Sequence, residues 1–178
     1  MENIIDFERR IYKEYMFNSR SRFAMSRIKR EPARMIWTWQ YYSRKTDFYK
    51  KKRGFIAKLL YLLFISLRNR FGEKLGLEID TENIGPGLLV YHYNNVVNGG
   101  SVIGENCHLH GNNCIGNAGP HDLRCPVIGN NVMLGVGAKV IGNVTVADNI
   151  KIAAGAVVVT SFTEKGITIG GIPARKLK

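Results

Sequence analysis

Past about residue 100 the apolar positions of this chain return every sixth residue. One series runs Ile103-Gly104, Leu109-His110 and Ile115-Gly116, and a second runs Ile128-Gly129, Leu134-Gly135, Val140-Ile141, Val146-Ala147, Ile152-Ala153 and Val158-Val159. A period of six matches neither the 3.6-residue repeat of an α-helix nor the alternation of a hairpin sheet. It predicts a triangular solenoid. Each hexapeptide supplies a short strand and a corner, and its aliphatic side chain stacks inward on those of neighbouring coils. The small residue that often follows keeps the corner tight. The two series are out of phase, because Ile115 and Ile128 are 13 residues apart. Residues 117–126, with Gly119-Pro120 and the polar His121, Asp122 and Arg124, are therefore expected to leave the wall as a loop, where binding residues tend to collect.

Before residue 76 the texture differs. Apolar and aromatic residues such as Ile36, Trp37 and Tyr41 alternate with Arg and Lys at helical intervals, predicting two or three helices. Breaks are expected at 18–21 and 43–47, where Asn, Ser and Asp favour caps and turns. The fold class is mainly β: a hexapeptide-repeat solenoid over 76–178, preceded by a small α-helical region over 1–75.

Charge sharpens that division. The formal net charge of the 178 residues is +12. Residues 1–75 hold 19 Lys and Arg against 7 Asp and Glu, whereas residues 76–178 hold 7 of each. The whole excess lies in the helical region. No nucleic-acid motif accompanies it and the solenoid is neutral, so no nucleic-acid partner is expected. The most apolar run, 55–67, is interrupted by Lys58 and is shorter than the ~20 residues a membrane-spanning helix needs. Beside Lys50-Lys51-Lys52-Arg53 it suits at most a weak membrane-surface contact. Three cysteines (Cys107, Cys114, Cys125) and no apolar leader give the expectation of a reduced, cytoplasmic setting.

Several words of the sequence carry a family resemblance. They are Ile84-Gly85-Pro86-Gly87-Leu88 leading into His92, Ile128-Gly129-Asn130-Asn131-Val132, Gly135-Val136-Gly137-Ala138-Lys139-Val140 and Gly171-Ile172-Pro173-Ala174-Arg175. On them, residues 76–178 resemble the hexapeptide-repeat acyltransferases, and among these the serine acetyltransferase branch, with a shorter match at Arg30-Glu31-Pro32-Ala33. The resemblance implies a left-handed parallel β-helix, a homotrimer with sites in clefts between subunits, and acetyl-CoA lying along the coil as cosubstrate, with no metal. It implies direct transfer: a histidine takes the proton of an acceptor hydroxyl as that oxygen attacks the thioester.

Residue by residue, the resemblance places the general base at His92, its carboxylate partner at Glu78 and an acceptor-binding carboxylate at Glu31. Both acids are usually aspartate in that branch, and the extra methylene shifts the carboxylate by more than ~1 Å. Acetyl-CoA is expected against the backbone near Asn117, Val136 and Ala154, with Arg175 meeting its phosphates. In the loop, Arg124-Cys125-Pro126 stands where the branch has Arg-His-Pro. Arg124 keeps a fork for carboxylate or phosphate, and His121 is the candidate substitute for the absent histidine.

That departure moves the expected acceptor toward a sugar of a surface polysaccharide or its precursor. A short architecture of this kind, a basic leader and one solenoid, also occurs among capsular and surface-polysaccharide O-acetyltransferases. Serine O-acetylation for cysteine biosynthesis is the alternative. Two further readings stay open. A zinc carbonic anhydrase of the same fold would need three converging imidazoles, and His92, His108, His110 and His121 supply the number. A non-enzymatic scaffold would use the basic leader.

Overall fold

The computed structural model describes residues 2–17 and 20–177. It separates into two compact units, Met1–Leu77 and Glu78–Lys178. In the first, α1 (Glu2–Tyr12) runs into a π-helical turn (Lys13–Phe17), followed by α2 (Arg20–Ile28), α3 (Pro32–Lys50) and α4 (Phe55–Leu75). Tyr12, Phe17, Phe23, Ile36, Trp37 and Trp39 form its buried core. Aromatic contacts join α3 to α4, Tyr42 meeting Phe71 at 5.6 Å and Tyr49 stacking on Phe64 at 5.5 Å between ring centroids. Gly76 closes α4 in the left-handed conformation, φ +61°, which glycine adopts without steric cost.

The expected break at 43–47 is not there. Helix α3 passes straight through, because its polar side chains are absorbed by the helix itself: the Ser43 hydroxyl donates to the Trp39 carbonyl (3.0 Å) and the Thr46 hydroxyl to that of Tyr42 (2.9 Å). Arg44 turns inward instead of marking a turn. Its guanidinium grips the Glu8 carboxylate, Nη2 to Oε1 at 2.7 Å, both side chains being buried. The other expected break, 18–21, falls partly on residues 18 and 19, outside the described residues; α2 is already under way at Arg20.

The second unit is built from short strands: β1 (Leu77–Ile79), β2 (Leu89–Val90), β3 (Asn95–Val97), β4 (Val102–Ile103), β5 (His108–Leu109), β6 (Cys114–Gly116), β7 (Val127–Ile128), β8 (Met133–Leu134), β9 (Lys139–Ile141), β10 (Thr145–Val146), β11 (Lys151–Ile152), β12 (Val157–Val158), β13 (Thr168–Gly170) and β14 (Arg175–Lys176). The chain visits three sheets in rotation: β1-β3-β6-β9-β12, then β4-β7-β10, then β2-β5-β8-β11-β13-β14. From β2 to β13 the pairing is parallel, and β14 adds to β13 antiparallel. One turn takes 18 residues where Val96 pairs with Cys114 and Val127 with Thr145, 19 from Leu89 to His108 and 17 from Lys151 to Thr168. Where residues 117–126 intervene the interval is 25, as from Val102 to Val127, so the loop adds seven residues without disturbing register.

The six-residue series is the core. Ile128, Leu134, Val140, Val146, Ile152 and Val158 are all at most 2% exposed. Burial of each such side chain stabilises by roughly 1.5–3 kcal/mol. A second inward column lies two residues earlier: Asn95, Ser101, Cys107 and Asn113 in the first coils, then Val132, Ala138, Val144, Ile150 and Ala156. Alternation within a strand turns positions i and i−2 to the same side. Buried asparagines in that column must satisfy their own polar atoms and do so on the backbone. The Asn113 amide donates to the carbonyls of Gly135 (2.7 Å) and Ala138 (3.2 Å), and its oxygen accepts from the Gly111 N–H (3.0 Å). Asn113→Ala is therefore expected to cost about 1–3 kcal/mol, by leaving those groups unpartnered. Chemical denaturation followed by far-UV circular dichroism measures it; a change within error would mean water replaces the amide.

Candidate active site

His92 sits exposed at the corner between β2 and β3. The buried Asn95 amide holds that corner by donating to the His92 carbonyl (2.8 Å), while the Asn95 oxygen accepts from the Asn113 N–H (3.1 Å). One turn on, Gly111 lies against His92: a Cβ there would come within 2.7 Å of the His92 Cβ, and φ is +113°. Only glycine lets the histidine settle on the next coil. Beside it Tyr91 stacks on His110, 4.4 Å between ring centroids and 17° between planes. Burial holds the His108 and His110 imidazoles below the ordinary range, helped by the charge of His110 on His108 and of His92 on His110. Both are therefore neutral around pH 7, leaving His92 as the exposed imidazole of the group.

The same corner continues along the coil as small residues. Gly135-Val136-Gly137 lies between β8 and β9, and Ala153-Ala154-Gly155 between β11 and β12. The two turns are stacked so closely that a Cβ on Gly135 would lie 2.6 Å from the Ala154 nitrogen. The Gly155 N–H donates to the Val136 carbonyl (2.8 Å) and the Gly137 N–H to that of Gly111 (2.9 Å). Val136 and Ala154 are exposed along this line, so the corner headed by His92 is a shallow track with little side-chain obstruction. A track of this shape suits an extended thioester ligand approaching the backbone. Arg175 is exposed on β14, and its neighbour Lys176 is held by Glu164 (2.6 Å).

The remaining sequence-predicted residues are placed elsewhere. Glu78 is exposed on β1, between buried Leu77 and Ile79 and in the sheet that holds β3. Among the described residues no ion pair joins it to His92. The loop 117–126 springs from the other end of that sheet, between β6 and β7. The Asn117 side chain accepts from the Asn98 amide (3.1 Å) and donates to the Gly119 carbonyl (2.8 Å), which leaves its backbone for any cosubstrate contact. The Arg124 fork closes on Asp122 through two 2.8 Å bonds, and this partner holds the Asp122 carboxyl down to about 2. His121 is exposed in the loop, and Cys125 faces Gly100 and the Asn98 side chain. His92 and the loop thus bracket β3 and β6 from opposite ends.

Glu31 belongs to the helical unit. It occupies the N-cap of α3 with its carbonyl accepting from the Arg34 N–H (2.9 Å), makes no side-chain cap bond, and approaches Arg22 at 4.0 Å. Among the described residues no group of three or more His, Cys, Asp or Glu is arranged to hold a metal ion, so the zinc reading has no ligand set there. Among them, too, no helix is long and apolar enough to cross a membrane.

No protein-family model matches the chain and no curated protein matches it in sequence. Solved structures do. Serine acetyltransferase from Brucella abortus is 26% identical over 99% of this chain and 68% of its own, with a TM-score of 0.71. The soybean apoenzyme is 25% identical over 80% of this chain, with a TM-score of 0.65, and the chain spans 57% of its length. The Neisseria gonorrhoeae enzyme in complex with serine, at 24% identity and a TM-score of 0.70, shares the fold over 99% of this chain and 69% of its own. A helical region followed by parallel sheets matches these neighbours, so the chain has the hexapeptide-repeat acyltransferase fold, with serine acetyltransferases as its structural neighbours.

Proposed function

We propose that the protein transfers an acetyl group from acetyl-CoA to an acceptor hydroxyl, with His92 as general base. The observation that carries this reading is the exposed imidazole at the head of a corner that continues over Gly111, Val136 and Ala154 without bulky side chains. His92 takes the hydroxyl proton as the oxygen attacks the thioester carbonyl, and returns it to the departing thiolate. Asn95 holds the backbone of the base in place. Glu78 is the carboxylate proposed to orient the imidazole, and Val136, Ala154, the Asn117 backbone and Arg175 are proposed to hold the cosubstrate. The left-handed sense of the coil and a trimer with sites between subunits belong to the same proposal, and a second subunit would bring further groups toward His92.

Serine is the acceptor we favour over a polysaccharide sugar, reversing the order expected from the loop sequence. Neighbours of this fold include serine acetyltransferases solved with serine and with CoA. The sugar reading retains one observation of its own: Cys125 stands where a histidine is expected and Arg124 is engaged by Asp122, so the loop offers an acceptor carboxylate less. Thiol release from acetyl-CoA, measured against serine and a panel of nucleotide- and lipid-linked sugars, separates the two. Turnover with serine is expected; turnover with a sugar alone would transfer the assignment. In the serine reaction Glu31→Ala is expected to raise the Michaelis constant for serine roughly tenfold, the loss of one charged hydrogen bond, with that for acetyl-CoA unchanged. An unaltered serine constant would remove Glu31 from the site.

A further inference from the structure

We propose that the helical unit contains a second ligand site, a cationic cavity that takes a diphosphate-bearing small molecule. The cavity, about 800 Å³, lies among α1, α2, α3 and α4, a volume suited to such a ligand. Arg9, Arg27, Arg30, Arg34, Lys45 and Lys74 line it, and Asp6 is the one acid among the lining residues. Trp37, Tyr41 and Tyr42 supply an aromatic wall.

Arg34 is the decisive member. Its Nε and Nη1 are buried with no hydrogen-bond partner, and its guanidinium lies 4.2 Å from the Phe23 ring centre. Arg9 reaches over the same ring at 5.8 Å and Lys13 at 5.2 Å. Burial, with the charges of Arg27 and Arg9, pulls the Arg34 pKa below its usual value, and Asp6 is the single acid set against these cations on the cavity wall. The contrast within the same bundle is informative: buried Arg44 is fully matched by Glu8. Where the fold needs a buried arginine for packing it supplies a carboxylate; around Arg34 it supplies more cations and an open volume. A ligand with several anionic oxygens completes this arrangement, because the guanidinium and ammonium groups around the one cavity can each donate to a phosphate oxygen. The aromatic wall fits whatever the diphosphate is attached to, either a planar base or the first units of a lipid chain.

The test is titration of the full chain at low salt with inorganic pyrophosphate, with ADP and with vesicles doped with a polyprenyl diphosphate, by calorimetry or co-sedimentation. Binding of at least one probe is expected, weakened tenfold or more in the Arg27→Gln/Arg34→Gln double variant and unchanged in Lys165→Gln, an exposed cation of the coil paired with Asp148. ADP binding tighter than pyrophosphate identifies a soluble nucleotide-like ligand, and vesicle binding alone identifies a lipid-linked one. If circular dichroism shows the double variant unfolded, Lys45→Gln on the cavity wall is the substitute, with a smaller expected loss. No binding by any probe, or equal binding by the folded variants, would overturn the proposal.

Discussion

His92→Ala is expected to lower acetyl transfer by roughly 10²- to 10⁴-fold, the usual contribution of a positioned general base. The imidazole is exposed and its own corner is held through the backbone carbonyl, not the ring, so the variant is expected to fold as the wild type does. The loss should appear in kcat, with binding of CoA retained, because the proposed contacts to that ligand lie on Val136, Ala154 and Arg175. Single-turnover kinetics together with CoA titration measure both. Retention of wild-type turnover would remove His92 from the chemistry; loss of CoA binding with turnover would recast it as a binding residue.

Glu8→Ala is expected to destabilise the helical unit by about 3–5 kcal/mol, because it removes the carboxylate that faces the Arg44 guanidinium in a site where both side chains are buried. The carboxylate takes Arg44 Nη2 at 2.7 Å and Nε at 3.2 Å, and the variant loses both bonds. The measurement is convenient, since the two tryptophans of the chain, Trp37 and Trp39, both lie on α3 and report this unit alone. A denaturation shift worth less than about 1 kcal/mol by tryptophan fluorescence would show that Arg44 escapes to water, which its depth argues against.

The coil was legible because its repeat is short and local. A side chain that must face inward every sixth residue leaves the same mark on each hexapeptide, and Ile103 to Val158 carry it with the phase jump that locates the loop. The second inward column followed the same spacing, Asn95, Ser101, Cys107, Asn113, but its polar members hid it. Polarity is normally read as exposure, and these amides are buried because the corner backbone supplies their partners. The misplaced break in α3 has the same origin: Ser43 and Thr46 satisfied their hydroxyls on the preceding turn, and Arg44 found a carboxylate 36 positions away.

Sequence alone therefore determined the division of the chain and its six-residue winding, since composition and period are properties of neighbouring residues; the role of His92 came from resemblance and stands as a proposal. Only the tertiary structure decided that Gly111 admits His92 to the next coil, that Asp122 closes the Arg124 fork, and that six cations of the helical region line one cavity. Those outcomes depend on groups distant along the chain coming within a few ångströms of one another. Electrostatic and hydrogen-bond energies vary steeply at that range, and linear spacing does not encode it.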